Sequence, residues 1–176
     1  MKKFELTSEF VTFLGKKLFR IKALVSFGDV KEGELGGLVE KEENLDQSGN
    51  AWVYGNARIS GDARVSGDAR VSGNARVSGD AQVSGNAWVS GDAWVSGDAW
   101  VQNCRDYSAT SCFGSENRTT TFFRTKDGGI SVRCGCFYGT LNEFREKVKE
   151  RHGDSRLAKE YLMLADLMEF RLSKDE

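Results

Sequence analysis

A six-residue repeat runs without interruption through the middle of the chain and restricts its possible folds more than any other feature. From Ala51 to Asp98 the pattern A-x-[VI]-[SY]-G-[DN] occurs eight times in succession. Within each hexad the Ala, x and Val positions alternate as in a strand, so Ala and Val share one side. The Gly with the Asp or Asn that follows it supplies a bend, because both residue types tolerate left-handed backbone angles.

This pattern predicts a solenoid. Antiparallel hairpins are excluded, because a two-residue link after every three residues would leave very short strands. In a solenoid each short strand instead lies beside its equivalent one coil later. Disorder is the alternative for a segment so rich in Gly, Ser and Asp, but Val or Ile occupies the third position of every hexad. Such regular apolar spacing is typical of a packed core, so we expect the repeat to fold.

The repeat resembles that of the hexapeptide-repeat family, in which Leu, Ile or Val is followed four residues later by a small residue. Ile59 and Ala63 have this spacing, and so do Val65 and Ala69. The resemblance implies a left-handed parallel β-helix of triangular section, with three hexads in each coil. The left hand comes from the resemblance alone, since the general preference of parallel crossovers is right-handed.

The register of the repeat extends past its strict part and sets the expected domain boundaries. Leu45 falls at an Ala position and Leu35 at a Val position, which indicates a degenerate first coil. We expect a mainly β protein with three parts. These are an N-terminal β-hairpin cap over residues 1–34, a left-handed β-helix over residues 35–104 and a small C-terminal α+β module over residues 105–176.

The two ends carry ordinary secondary-structure signals. The N-terminal segment predicts a hairpin that turns at residues 15–17, and residues 126–129, Lys-Asp-Gly-Gly, predict a second hairpin. Thr140 and Glu143 form a capping box for a helix that ends at Gly153. A second helix is predicted by an apolar stripe that consists of Leu157, Tyr161, Leu164, Met168 and Leu172.

Stacking the hexads in threes predicts which side chains face outward. Trp88, Trp94 and Trp100 belong to the last coil, one on each side, whereas the coils before them present mainly Arg. Several large exposed aromatic residues in one layer are typical of a surface that becomes buried. We expect these three residues to contact either a partner subunit of a homotrimer or the chain's own C-terminal module.

A polar turn and the strands that follow it are the candidate ligand-binding region. Their hydroxyl, amide and guanidinium groups suit a phosphate or another small anion. The same groups also suit a solvated turn with charged strand positions, so both interpretations stay open. The candidate ligand-binding residues are Ser115, Glu116, Asn117, Arg118, Arg124, Lys126 and Arg133.

Four cysteines allow either free thiols or a zinc site. Cys134 and Cys136 alternate with Val132, which predicts that all three lie on one side of a strand. With Cys104 and Cys112 they would complete a Cys₄ zinc site, but a single C-x-C pair is a weak signal. We favour buried free thiols in a reducing compartment, and we expect neither a metal nor a cofactor.

The residues needed for catalysis are few. The chain has one histidine, His152, which lies outside the repeat, whereas hexapeptide acyltransferases use a histidine as general base. At the end of a predicted helix, His152 suits the helix dipole instead. We therefore expect no enzymatic activity, and an acyltransferase-like enzyme remains an alternative.

Charge and hydropathy indicate the expected surroundings of the protein. A formal net charge of −1 gives no general attraction to nucleic acid, so no nucleic-acid partner is expected. The chain has no apolar run long enough for a membrane span and no signal-peptide core at its start, so we expect a cytoplasmic protein without a membrane partner.

Both ends resemble uncharacterised hexapeptide-repeat proteins of bacteriophages and prophages. The stretches that carry the resemblance are GCFYGTLNEF near the C-terminus and LFRIKALVSFGDV near the N-terminus. The resemblance implies a phage accessory protein in the host cytosol. Our hypothesis is a non-enzymatic binding protein that counters host defence by sequestering an anionic, nucleotide-like ligand or by blocking a host protein. A rigid trimeric spacer of a phage is the first alternative.

Overall fold

The central repeat folds into a parallel β-solenoid of about 4 turns in the computed structural model, which describes residues 2–173. Arg70 pairs in parallel with Trp52 of the preceding coil and with Trp88 of the following coil, which confirms the coil of three hexads. The solenoid strands are β4 (Trp52–Val53), β5 (Arg58–Ile59), β6 (Arg64–Val65), β7 (Arg70–Val71), β8 (Arg76–Val77), β9 (Gln82–Val83), β10 (Trp88–Val89), β11 (Trp94–Val95) and β12 (Trp100–Val101).

The solenoid core consists of the Ala and Val rows of the repeat. Every Ala from Ala51 to Ala99 and every Val or Ile from Val53 to Val101 at these positions is fully buried. The residue between each Ala and Val points outward, as the alternation of a strand requires. Burying a Val side chain stabilises a fold by about 1.5–3 kcal/mol, so this regular row supplies most of the solenoid's hydrophobic stabilisation.

Glycine at the fifth position of each hexad forms the corner of the coil. Gly73 has a φ of +68°, a backbone angle that residues with a Cβ rarely adopt. A Cβ on Gly73 would also lie 3.0 Å from the backbone N and O of Gly91 in the next coil. The absence of a side chain therefore serves both the bend and the close stacking of coils.

The N-terminal segment extends one side of the solenoid as an antiparallel hairpin. Strands β1 (Phe4–Phe13) and β2 (Lys16–Ala23) pair with each other, and β2 pairs with β3 (Leu35–Val39), which continues in parallel onto β5. The hairpin turns at Leu14 and Gly15, both with positive φ, and not at residues 15–17 as the sequence predicted. Two successive residues with positive φ make the tight turn that suits twisted strands.

Trp52 is fully buried, although its hexad position predicts an outward side chain. The N-terminal segment covers it, because the rings of Phe4 and Phe27 meet the Trp52 ring edge-on, with centroids 6.2 and 5.4 Å away. Solvent therefore reaches the outward aromatic positions of the last coil but not that of the first.

Lys3 connects the N-terminal hairpin to the first coil. Its Nζ donates hydrogen bonds to the carbonyl oxygens of Ser48, Gly49 and Ala51, at 3.2, 3.4 and 2.9 Å. Burial lowers the pKa of the Lys3 ammonium to about 8, and the Asp46 carboxylate opposes this change.

The C-terminal module is a four-stranded antiparallel sheet with two helices on one face. Its elements are β13 (Tyr107–Phe113), β14 (Arg118–Arg124), β15 (Ile130–Cys134), β16 (Phe137–Thr140), α1 (Leu141–His152) and α2 (Arg156–Leu172), with the strands in chain order across the sheet. Phe122 and Val132 pack beneath the helices, whereas Phe123, on the other face, joins the solenoid core. The backbone N–H of Trp94 donates to Thr121 Oγ1 at 3.0 Å, so the module lies beside the last coils.

The local signals of the module are confirmed in part. The hairpin at residues 126–129 connects β14 to β15, and Thr140 and Glu143 form the capping box of α1, which ends at Gly153. Strand β15 ends at Cys134, so Cys136 lies in the following turn and not on the strand as predicted. Within residues 2–173, neither helix has the length and apolar character of a membrane-spanning helix.

Candidate functional site

The predicted ligand-binding residues do not all lie together. The Arg124 guanidinium donates to the carbonyl oxygens of Leu172 and Ser173 and to Asp106 Oδ1, at 2.7, 2.9 and 2.9 Å. Arg124 thus holds the end of α2 in place. Lys126 lies in the β14–β15 turn, where its backbone N–H donates to the Asp98 carbonyl. Both residues are at the end of β14 opposite to Arg118.

Three of the other predicted residues line a cleft of about 240 Å³ between the sheet end and the helices, which we call the helix-side cleft. These are Ser115, Glu116 and Arg118. The apolar floor of the cleft consists of Phe137, Phe144, Val148 and Tyr161. The backbone N–H of Ser115 donates to the Tyr161 hydroxyl at 3.1 Å, which fixes the 114–117 turn against α2.

The charged side chains of the helix-side cleft are mostly basic. Lys147 and Arg151 of α1 join Arg118, and among the described residues 2–173 Glu116 is the only carboxylate in the lining. The nearest oxygen of Glu116 is 3.9 Å from Arg118, a distance too long for a strong ion pair. Arg151 forms no ion pair with any residue in the described range 2–173. The cleft therefore has an excess of positive charge in a chain of nearly zero net charge.

Sequence reasoning missed the contribution of α1 to this cleft. Lys147 and Arg151 are four residues apart, so they share a helix face next to the buried side chains of Phe144 and Val148. His152 stacks on the ring of Tyr161, with a centroid distance of 5.7 Å and an interplanar angle of 23°. The spacing of Lys147 and Arg151 on one helix face can be predicted from the sequence, whereas their position near Arg118 depends on the tertiary fold.

A second cleft, of about 480 Å³, lies on the other face of the sheet, between β15 and the solenoid. We call it the solenoid-side cleft. Its lining includes the predicted residues Asn117, Arg118 and Arg133, together with Arg76 and Trp94 of the solenoid. The guanidinium carbon atoms of Arg133 and Arg76 lie 3.8 and 5.2 Å from the centroid of the Trp94 ring. Burial lowers the pKa of Arg133.

The three outward tryptophans of the last coil have different surroundings. The C-terminal module partly covers Trp94 through Arg133. Trp88 and Trp100 remain 53% and 41% exposed. The indole N–H groups of Trp88 and Trp94 donate to Ser72 and Ser78 of the preceding coil, which orients both rings along the solenoid.

The cysteines are more exposed than the sequence indicated. Cys104, Cys112 and Cys136 are exposed, and only Cys134 is half-buried, where its Sγ accepts a hydrogen bond from Thr120 Oγ1 at 3.2 Å. The expectation of four buried thiols is therefore wrong, because three of these residues lie in turns or on the outer strand of the sheet. Among residues 2–173, no three His, Cys, Asp or Glu side chains lie close enough together to hold a metal ion.

Comparison with known proteins supports the solenoid but gives no information on the C-terminal module. Residues 57–70, 69–81 and 81–97 match the family model described as the YdcK Beta solenoid repeat. The matched stretches include Arg76 and Trp94 but no residue of the C-terminal module. No curated protein is significantly similar to the chain.

Proposed function

We propose that this protein binds a small anion with a planar apolar ring in the helix-side cleft and does not convert it. The observation that carries the proposal is the pairing of three cationic side chains, Arg118, Lys147 and Arg151, with an aromatic floor in one cleft. A nucleotide-like molecule has both matching parts, an anionic phosphate and a flat base.

The energies of the available contacts are sufficient for useful affinity. A hydrogen bond to a charged group contributes about 1.5–3 kcal/mol, and stacking of a base on an aromatic ring about 1–3 kcal/mol. Two such hydrogen bonds and one stacked ring, after the entropic cost of association, suit a dissociation constant in the micromolar range. Arg118 and Arg151 supply donors in the lining of the cleft, and the half-buried ring of Phe137 supplies a stacking surface.

The proposal extends to the context of the protein. We propose that the protein belongs to a phage or prophage and acts in the host cytosol. We further propose that its solenoid is left-handed and closed by the N-terminal hairpin, and that it assembles as a homotrimer that presents three clefts. The fully buried Phe4 and Ile21 support a capping role for the hairpin, and the exposed Trp88 and Trp100 support assembly. Several copies of one binding site suit the capture of a host defence signal, because each copy adds capacity.

Titration calorimetry with AMP as the probe tests the proposed site. At pH 7 and low salt we expect the wild-type protein to bind AMP and Arg151→Gln to bind it at least tenfold more weakly. Lys149→Gln is the matched control, because Lys149 is an exposed cation on the same helix outside the cleft. The control is expected to retain affinity within about twofold, since it loses only a distant, screened charge.

Two results would overturn the proposal. One is the absence of AMP binding, and the other is an equal loss of affinity in Arg151→Gln and Lys149→Gln. Chromatography of the ligand after incubation should return AMP unchanged. Turnover of acetyl-CoA by the wild-type protein would support the acyltransferase alternative instead.

A further inference from the structure

We propose that the helix-side cleft and the solenoid-side cleft are two subsites of one ligand site, joined at Arg118. This inference rests on the proposed function and names its ligand more closely. The ligand has a planar ring for the first subsite and a chain of at least two phosphate groups that reaches the second.

The connection between the clefts follows from the geometry of the sheet end. Arg118 begins β14 and Gly135 follows the end of the antiparallel neighbour β15, so both lie at the same end of the sheet. Both residues line both clefts. A Cβ on Gly135 would lie 3.1 Å from Arg118 Nη1, so the guanidinium passes directly over this glycine.

The solenoid-side cleft also has an excess of positive charge. Arg76, Arg118 and Arg133 face one carboxylate, that of Asp92, and Asp92 Oδ1 already accepts a hydrogen bond from the Asn74 amide at 3.2 Å. Within the described residues 2–173, neither Arg76 nor Arg133 forms an ion pair with a carboxylate. Three guanidinium groups around one engaged carboxylate form a subsite for a second anionic group.

Arg133 has an unsatisfied donor at this subsite. Its Nε is buried and has no hydrogen-bond acceptor among the described residues. A buried donor without an acceptor is unfavourable, so a small movement of the side chain that lets Nε reach an anionic oxygen in the cleft would be favoured. The Trp94 ring beneath Arg133 and Arg76 restricts both guanidinium groups, so little ordering is needed when the anion binds.

Calorimetry with AMP and with ATP, both without divalent cations, tests the composite site. The two probes share the ring and sugar and differ in the length of the phosphate chain. We expect the wild-type protein to bind ATP at least tenfold more tightly than AMP. Arg76→Gln should reduce ATP affinity to the level of AMP and leave AMP affinity unchanged, whereas Arg118→Gln should weaken both.

Arg64→Gln is the matched control for Arg76→Gln. Arg64 occupies the same hexad position on another side of the solenoid and is exposed, and Gln82 stacks directly on it in the next coil. Gln is thus already accommodated at this hexad position, so both variants are expected to fold. Arg64→Gln should leave the ratio of ATP to AMP affinity unchanged.

The fluorescence of Trp94 gives an independent measurement. ATP should alter the emission of the wild-type protein and AMP should not, and the ATP-dependent part should disappear in Trp94→Phe. The composite site is refuted if Arg76→Gln keeps the full preference for ATP or if ATP leaves Trp94 emission unchanged. Either result would leave the proposed binding of AMP in the helix-side cleft unaffected. If Arg151→Gln has no effect on AMP binding, the proposed function itself fails.

Discussion

The solenoid and the C-terminal module achieve stability in different ways. In the solenoid, fully buried Val and Ala side chains recur in every coil, and each coil contacts only its neighbours. In the module, a few aromatic side chains fill the core edge-on, with centroids 5.7 Å apart for Phe122 and Phe144 and 5.8 Å apart for Phe144 and Tyr161. The small residues of the solenoid pack in regular rows, whereas the larger rings of the module meet at varied angles beside a cleft.

The difference between the two regions shows which part of the chain can bring varied side chains together around a cleft. The repeat supplies outward positions in straight rows, and a row by itself encloses no volume. A cleft forms where the irregular module folds against these rows, as Arg133 does on Trp94. In the proposed site the solenoid would thus be the rigid half, and the module would supply most of the selectivity.

The largest expected effect is the loss of the solenoid in Val77→Asp. The side chain of Val77 is fully buried between Ile59 and Val95 of the adjacent coils, so the variant would enclose an unpaired charge. We expect a cost of more than about 4 kcal/mol and no cooperative thermal transition by circular dichroism. Arg64→Ala, at an exposed position, is the control with little change.

A matched variant in the module sharpens this comparison. Ala165 of α2 is fully buried, so Ala165→Asp should remove the helical signal near 222 nm while the solenoid stays folded. An unchanged melting temperature in Val77→Asp would contradict the packed solenoid. A complete loss of structure in Ala165→Asp would show that the two regions unfold as one unit.

The next effect concerns assembly. Trp88 and Trp100 are the exposed aromatic residues of the last coil, so the double variant Trp88→Ser, Trp100→Ser should convert the proposed homotrimer to a monomer. Light scattering at micromolar concentration measures the mass directly. Trp94→Phe is the control, because the module already covers part of that ring. A monomeric wild-type protein would refute the trimer.

A smaller effect separates backbone strain from coil stacking. Gly73 and Gly91 have nearly equal φ angles of +68° and +67°, but only Gly73 has a coil stacked above it. Gly91→Ala should cost about 1–2 kcal/mol from the backbone angle alone, and Gly73→Ala should cost more because its Cβ meets the next coil. Urea unfolding of both variants gives the difference, and equal costs would show that the coils are loosely stacked.

The smallest effect is a pH dependence at Lys3. Because burial lowers the pKa of Lys3 to about 8, below its unfolded value of 10.5, the unfolded chain binds more protons between these two values. The stability of the wild-type protein relative to Lys3→Met should therefore rise as the pH increases from 8 to 10. A fall in relative stability over this range would contradict the sign.

Local sequence signals predicted the solenoid well, because its contacts repeat at a fixed spacing. The capping box at Thr140 and the hairpin at residues 126–129 were predicted for the same reason, since each depends on a few neighbouring residues. The cover over Trp52 was not predicted, because Phe4 and Phe27 reach it from another part of the chain.

The candidate site shows the limit of the same reasoning. Arg118 and Arg124 lie on one strand, but six strand positions separate them by about 20 Å. Proximity in sequence thus grouped two residues that the fold places at opposite ends of β14. Arg151 is distant in sequence, and the turn at Ser115 and the face of α1 bring it into the same cleft as Arg118.

The three-hexad register of the coil also limits how such a protein can change its length. Inserting one hexad before β11 would rotate Trp94 and the C-terminal module together by a third of a turn relative to the earlier coils, so Trp94 and Arg133 would no longer lie over the row of Arg76. Inserting three hexads would move the module along the axis by about 4.8 Å and return it to the same row. The solenoid can therefore change its length only by whole coils of three hexads if the module is to keep its contact with the row of Arg76 and Trp94.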